Sequence, residues 1–247
     1  MRTSENGPDA ESGQSWWRDV HATRVTASVL GVFVGISGLD HGLFEALQGS
    51  TPTPGLILRA IGPAQRMWVY GTEEAFSLVP NFLVTGILAM TVGLLVIVWS
   101  IGFIGRRNGS AVFLLLSTLL FLVGGGVASA GSVALCWAVS RRIDRPLSWC
   151  RRVFPVGADG LSARVWLGCL LVSLPLFAFA LEIAIWGFVP GVGNPDYARQ
   201  TCWFALGVML ALLLLAIVAG FAHDVDREGV PASTLRAPDS GLRDATG

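Results

Sequence analysis

The sequence predicts an all-α integral membrane protein, a helical bundle of five apolar segments, and three observations carry that prediction. Five long apolar stretches, 25–44, 82–104, 112–139, 165–188 and 202–222, alternate with short polar loops. Each is close to or above the roughly 20 residues that a helix rising about 1.5 Å per residue needs to cross a ~30 Å hydrocarbon core. The chain is 53% hydrophobic and only 14% charged, with a mean hydropathy of +0.62, well above a soluble domain with one buried core. Trp166 and Trp186 lie 20 positions apart at opposite ends of the fourth stretch, a separation of about 30 Å along a helix. Indoles at such ends, with Trp99, Trp137 and Trp203, read as interfacial anchors.

Residues 1–22 are polar and acidic (Glu5, Asp9, Glu11, Asp19) and precede the first stretch without a cleavable leader pattern. They read as a disordered cytoplasmic tail. The membrane domain is expected over 23–223, with 50–81 as an interfacial segment, and 224–247 as a second disordered cytoplasmic tail, rich in Asp, Arg, Gly, Pro and Ser. Cys136, Cys150, Cys169 and Cys202 are widely spaced, so neither zinc nor a disulfide framework is indicated and all four read as packing residues.

The first segment carries Gly31, Gly35, Gly38 and Gly42 on one narrow helical face, a surface that lets another helix, or a partner membrane protein, approach closely. His41, Glu45 and Gln48 form a stripe beside that face, while Asp40 projects from the opposite side. Ionisable groups inside a span are costly and mark a site or a partner. The competing reading is a polar helix end with an intrahelical His41–Glu45 pair.

The interfacial segment is too polar to cross. Thr72 is positioned to cap a short helix whose first turn carries Glu73 and Glu74. Leu56, Ile57, Leu58, Ile61, Met67, Trp68 and Val69 would hold it at the interface as a lid, and Pro80–Asn81 open the second span. In the third stretch Gly124, Gly125 and Gly126 interrupt the apolar run near its centre, which suggests a glycine-broken re-entrant hairpin; one long, tilted helix is the alternative.

Arginine placement separates these topologies, because cytoplasmic loops carry the basic excess. The loop between the third and fourth stretches holds Arg141, Arg142, Arg145, Arg151, Arg152 and Arg164. If every stretch crosses, Arg2, Arg18, Arg24, Arg106, Arg107 and Arg199 fall outside; with the hairpin only Arg59, Arg66 and Arg199 do. The hairpin therefore fits better, with both termini cytoplasmic. It also gathers the ends of the first and fourth segments under 50–81. His41, Glu45 and Glu182 then become candidate catalytic residues, with Asp40, Gln48, Glu73, Glu74 and Asn81 as candidate binding residues.

The pattern Gly38-x-x-His41-Gly42-x-x-Glu45 followed by Gln48-Gly49, the Thr72-Glu73-Glu74-Ala75 turn, Val79-Pro80-Asn81-Phe82 and the triple glycine resembles a group of small prokaryotic multi-pass membrane proteins without an assigned activity. The resemblance covers about 24–149 and implies that His41, Gly42, Glu45, Gln48, Pro80 and Asn81 belong to the shared pattern. It supplies no activity. A bacterial cytoplasmic membrane is the expected location, all 17 basic residues being Arg, as coding in a GC-rich genome favours.

No hydrolase elbow, zinc-protease helix, phosphate-binding loop, dinucleotide fingerprint or nucleic-acid-binding basic stripe is present. Haem held by two histidines is disfavoured because His21 and His223 read as tail residues; a metal on His41, Glu45 and Glu182 is compatible by ligand type but not indicated, and the sequence names no cofactor. Three functions compete: a site that binds a lipophilic small molecule or processes an amphiphile by acid/base chemistry, a small proton- or ion-coupled transporter, and a noncatalytic membrane subunit.

Overall fold

The computed structural model describes residues 20–127, 130–145, 147, 149, 152 and 160–228. Within them the chain is mostly helical: α1 (Ala22–Ala46), α2 (Phe82–Gly102), α3 (Gly109–Leu122), α4 (Ala130–Ser140), α5 (Leu161–Trp186) and α6 (Pro195–Glu228), with two short strands, β1 (Ile57–Arg59) and β2 (Glu74–Phe76), between α1 and α2. Among the described residues four helices, α1, α2, α5 and α6, are long and apolar enough to cross a membrane. The third apolar stretch is divided. Its parts, α3 and α4, have 14 and 11 residues, about 21 Å and 17 Å long, each short of a ~30 Å core.

α1 packs most extensively on α2, and α5 on α6. The α1–α2 contact is built from glycines in register. A Cβ on Gly42 would lie 2.6 Å from the Gly86 carbonyl oxygen, and one on Gly93 would lie 2.9 Å from that of Gly35, so the two backbones touch along an antiparallel seam. The same face also receives α3: a Cβ on Gly38 would lie 2.7 Å from Leu120, and one on Gly31, which sits first against Ser100 of α2, would lie 3.2 Å from Phe113. Close backbone approach of this kind is what small residues provide where lipid offers no hydrophobic drive between helices.

At the opposite end of α1 the two carboxylate oxygens of Asp224 accept from Ala22 N (2.8 Å) and Thr23 N (2.9 Å). A side chain more than 200 positions away thus satisfies two of the four free N–H groups of the first turn and opposes the helix dipole. Trp166 Nε1 donates to Thr26 Oγ1 (2.9 Å), and the indole stacks on His223. These contacts correct two expectations. Trp166 is 3% exposed, a core residue rather than an interfacial anchor. His223 and Asp224 are buried within α6, which runs on to Glu228, so the first five residues of the expected C-terminal tail are helical; 1–19 and 229–247 lie outside the described residues. Trp186 and Trp203 are 52% and 69% exposed, as an anchoring role requires.

The segment between α1 and α2 forms a small cap. β1 and β2 pair antiparallel, Ile57 with Phe76, Leu58 with Ala75 and Arg59 with Glu74. The helix expected after Thr72 is absent, since Glu74 begins a strand instead. The reason is tertiary: β2 bonds β1 on one edge and the α3–α4 connection on the other, where Leu78 N donates to Leu122 O, Gly124 N to Phe76 O and Val127 N to Glu74 O. Asn81 caps α2 by accepting from Val84 N.

Candidate functional site

The polar residues of α1 lie beneath this cap. His41 is 4% exposed and Glu45 fully buried, one turn apart on the face that meets the α3–α4 connection. Two glycines of the triple make that contact. Gly126 (φ +82°) lies against the imidazole, so that a Cβ there would come within 2.6 Å of His41 Cε1 and Nε2, and Gly124 (φ +107°) faces the Glu45 carboxyl, into which a Cβ would intrude. Both backbone angles are ones that side-chain-bearing residues rarely adopt. Glycine is therefore required at 124 and 126 twice over, by conformation and by space.

Hydrogen bonding at this contact is incomplete on the side-chain side. Among the described residues His41 Nδ1 and both Glu45 oxygens have no partner. The Thr85 hydroxyl lies beside Glu45, but its single proton goes to Val123 O at 2.5 Å while it accepts from Ser77 Oγ at 2.6 Å. It has nothing left to donate. An unsatisfied buried polar group costs about 1–3 kcal/mol, more if charged, so this adjacent ionisable pair is costlier than the lone hydroxyls of Thr23 and Ser117, which also lack a partner among the described residues.

Glu73 connects the buried pair with the surface. Its Oε2 lies 3.8 Å from His41 Nε2, its side chain is 33% exposed, and burial holds its carboxyl above the usual range. Asp40 is half-buried, near enough to Glu73 for the two carboxyls to repel. His41, Glu45, Glu73 and Asp40 thus form one run of titratable groups from the bundle interior to the cap.

The other candidates fall elsewhere. Gln48 Nε2 donates to Arg59 O (3.0 Å) and Ala60 O (2.6 Å), tying the end of α1 to the cap, and Asn81 Nδ2 donates to Ser50 Oγ while its oxygen caps α2. Glu74 is exposed opposite Arg59 on a shallow surface groove. Glu182 is half-buried near the end of α5 and forms no hydrogen bond or ion pair among the described residues. Its neighbours Leu181 and Ile185 take the face toward Phe44 and Ile61, and Glu182 lies about 100° and 60° from them around the helix, with no bond to His41 or Glu45. No group of three or more His, Cys, Asp and Glu among the described residues is placed to hold a metal ion.

Sequence reasoning did not single out Thr85, Ser77 or the pairing of Gly124 with Glu45 and Gly126 with His41. The signal was present only in part: the triple glycine was visible, its partner was not. The cap is also fastened to α5 and α6. Trp68 Nε1 donates to Ala184 O (3.0 Å), its ring lies against Gly187, and Tyr70 donates to Asp196 (2.5 Å) beneath the Arg199 guanidinium. Compared with known proteins, the chain matches no family model, no curated protein and no solved structure.

Proposed function

We propose that this is a multi-pass protein of a bacterial cytoplasmic membrane that exchanges protons at a polar intramembrane site formed by Glu45 and His41, with Glu73 as the relay to the outer face. One observation carries the reading: two fully or nearly fully buried ionisable side chains keep three unpartnered polar atoms while pressed against glycine backbone. A proton is the occupant that needs no room there. Intramembrane carboxyl and imidazole groups in a chain are the usual parts of a proton path.

The topology that belongs to this proposal is the glycine-broken re-entrant hairpin, with both termini cytoplasmic. It is supported by the order of contacts along α1. Phe113 and then Leu120 of α3 meet Gly31 and then Gly38, whereas Gly126 meets His41 and Cys136 of α4 donates back to Ala27 O. The chain enters beside α1, turns at His41–Glu45 and returns. A non-helical turn at membrane depth requires protein cover for its backbone, and β2 supplies it through the bonds to Gly124 and Val127. The likeness to the small prokaryotic proteins with the Gly-x-x-His-Gly-x-x-Glu helix belongs to the same proposal.

A second reading, acid/base processing of an amphiphile, is favoured by the cap itself. Leu56, Ile57, Met67, Val69 and Leu78 are all more than half exposed, an apolar surface over which such a molecule would reach Glu73. That reading requires the cap to open, because His41 and Glu45 leave no room for a substrate. The test is proton movement in liposomes loaded with a pH-sensitive dye. Wild type should pass protons under an imposed potential, and Glu45→Gln and His41→Asn should each abolish the flux. Flux unchanged in both variants would eliminate the relay.

A further inference from the structure

At the end of the bundle away from the cap, α1, α2 and α5 leave a lateral groove of about 450 Å³ lined by Arg24, Val25, Ser28, Val29, Val32, Ile101 and Leu174. We propose that this groove binds one anionic phospholipid, with an acyl chain along the valines and the phosphate on Arg24.

Length, polarity and charge each point to that occupant. From Arg24 to Val32 the groove follows eight residues of α1, about 12 Å at the helical rise. That is close to the depth of one leaflet, half of a ~30 Å core. The walls are apolar except for Ser28 and Arg24, and Ile101 at the lip is 61% exposed. Between helices that face hydrocarbon, such a groove is filled by a lipid chain or left as a void, and voids forfeit dispersion contacts.

Charge selects among lipids. Arg24 is exposed, and among the described residues it forms no hydrogen bond or ion pair. Its side chain lies against Gly105, where a Cβ would be 3.2 Å from Nε, so it shares this rim with Arg106 and Arg107 of the α2–α3 turn. Arg106 stacks on Phe103, and Arg107 is exposed and forms no ion pair among the described residues. The nearby Asp224 is committed to capping α1. A guanidinium matches a phosphate with two parallel donors, and basic residues at the membrane surface attract anionic headgroups at about 1 kcal/mol each.

The experiment is native mass spectrometry of the full chain, released from detergent after titration with phosphatidylglycerol, phosphatidylcholine of identical chains, or glycerol phosphate. One phosphatidylglycerol per protein should be retained in preference to phosphatidylcholine, and glycerol phosphate should not bind. Arg24→Gln should weaken that adduct about fivefold, the equivalent of one basic contact, and leave phosphatidylcholine unaffected. Val29→Trp, which fills the groove, should lose both lipids; if it fails the size-exclusion check for folding, Ser28→Phe closes the groove from the neighbouring position. Equal retention of the two lipids by wild type, an unchanged preference in Arg24→Gln, or full binding in the folded groove-filling variant would each overturn the proposal.

Discussion

Replacing Gly126 by Ala introduces one methyl group where the backbone and the imidazole both exclude it. With φ at +82°, an alanine pays about 1–2 kcal/mol of left-handed strain. Its Cβ would lie 2.6 Å from His41 Cε1 and Nε2, so the ring or the turn must shift, an overpacking cost of about 1–3 kcal/mol. The sum is about 2–5 kcal/mol of lost stability. Two companion variants separate the parts. Gly131→Ala, in α4 with nothing within 4 Å of its added Cβ, should be neutral or stabilising by up to about 1 kcal/mol. His41→Ala removes the ring that the new methyl strikes, so the double variant should recover the steric share, a coupling of about 1 kcal/mol or more. Reversible unfolding in mixed micelles, followed by tryptophan fluorescence, reads wild type, the three single variants and the double variant. If Gly126→Ala unfolds within about 0.5 kcal/mol of wild type, or its cost is unchanged without His41, the packing of the turn on the imidazole is wrong.

Gly86→Ala should be at least as damaging, because its Cβ would lie 2.5 Å from Ala46 N and from the Gly42 oxygen, backbone atoms that cannot rotate away; Gly207→Ala, open on all sides, is the control in the same melting assay. Asp224→Ala should cost about 2 kcal/mol through loss of two charge-assisted bonds to the start of α1, with hydrogen exchange rising first at the amides of Ala22 and Thr23. Burial raises the Glu73 carboxyl above its ordinary value of 4.5. The folded cap therefore binds this proton more tightly than the unfolded chain does. Its contribution is fully present below about pH 4.5 and is lost as pH rises through the raised value, and Glu73→Gln should flatten that part of the stability profile. Tyr70→Phe should speed hydrogen exchange across 57–76 by releasing the clasp on Asp196, and unchanged exchange would show that the clasp does not hold the cap.

Much of this fold was legible because it follows from length and composition. The four long helices track the apolar stretches, since a run of apolar residues dictates both burial and a satisfied backbone. Where sequence reading failed, the deciding partner was distant. Trp166 carries the spacing of an interfacial anchor, but Thr26 and His223 make it a core residue. Thr72, Glu73 and Glu74 have the local chemistry of a helix start; a strand forms because the glycine turn offers β2 a second edge. At the site, helical periodicity set His41 and Glu45 side by side, and Arg counting suggested that the glycine turn re-enters. Neither could say that the turn would land on those two side chains, nor that Glu182, at a similar depth, would make no bond to them. Depth is written in sequence position, whereas azimuth depends on how neighbouring helices pack.

The central claim is that Glu45 and His41 exchange a proton while sealed beneath the glycine turn. Infrared difference spectroscopy of the protein in lipid bilayers, taken after a pH jump from about 4 to about 9 to bracket carboxyl and imidazole titration, tests it most directly. A protonated-carboxyl band that changes with pH, disappears in Glu45→Gln, moves in His41→Asn and keeps its position but titrates differently in Glu73→Gln is the predicted result. A spectrum with no carboxyl band lost in Glu45→Gln would contradict it.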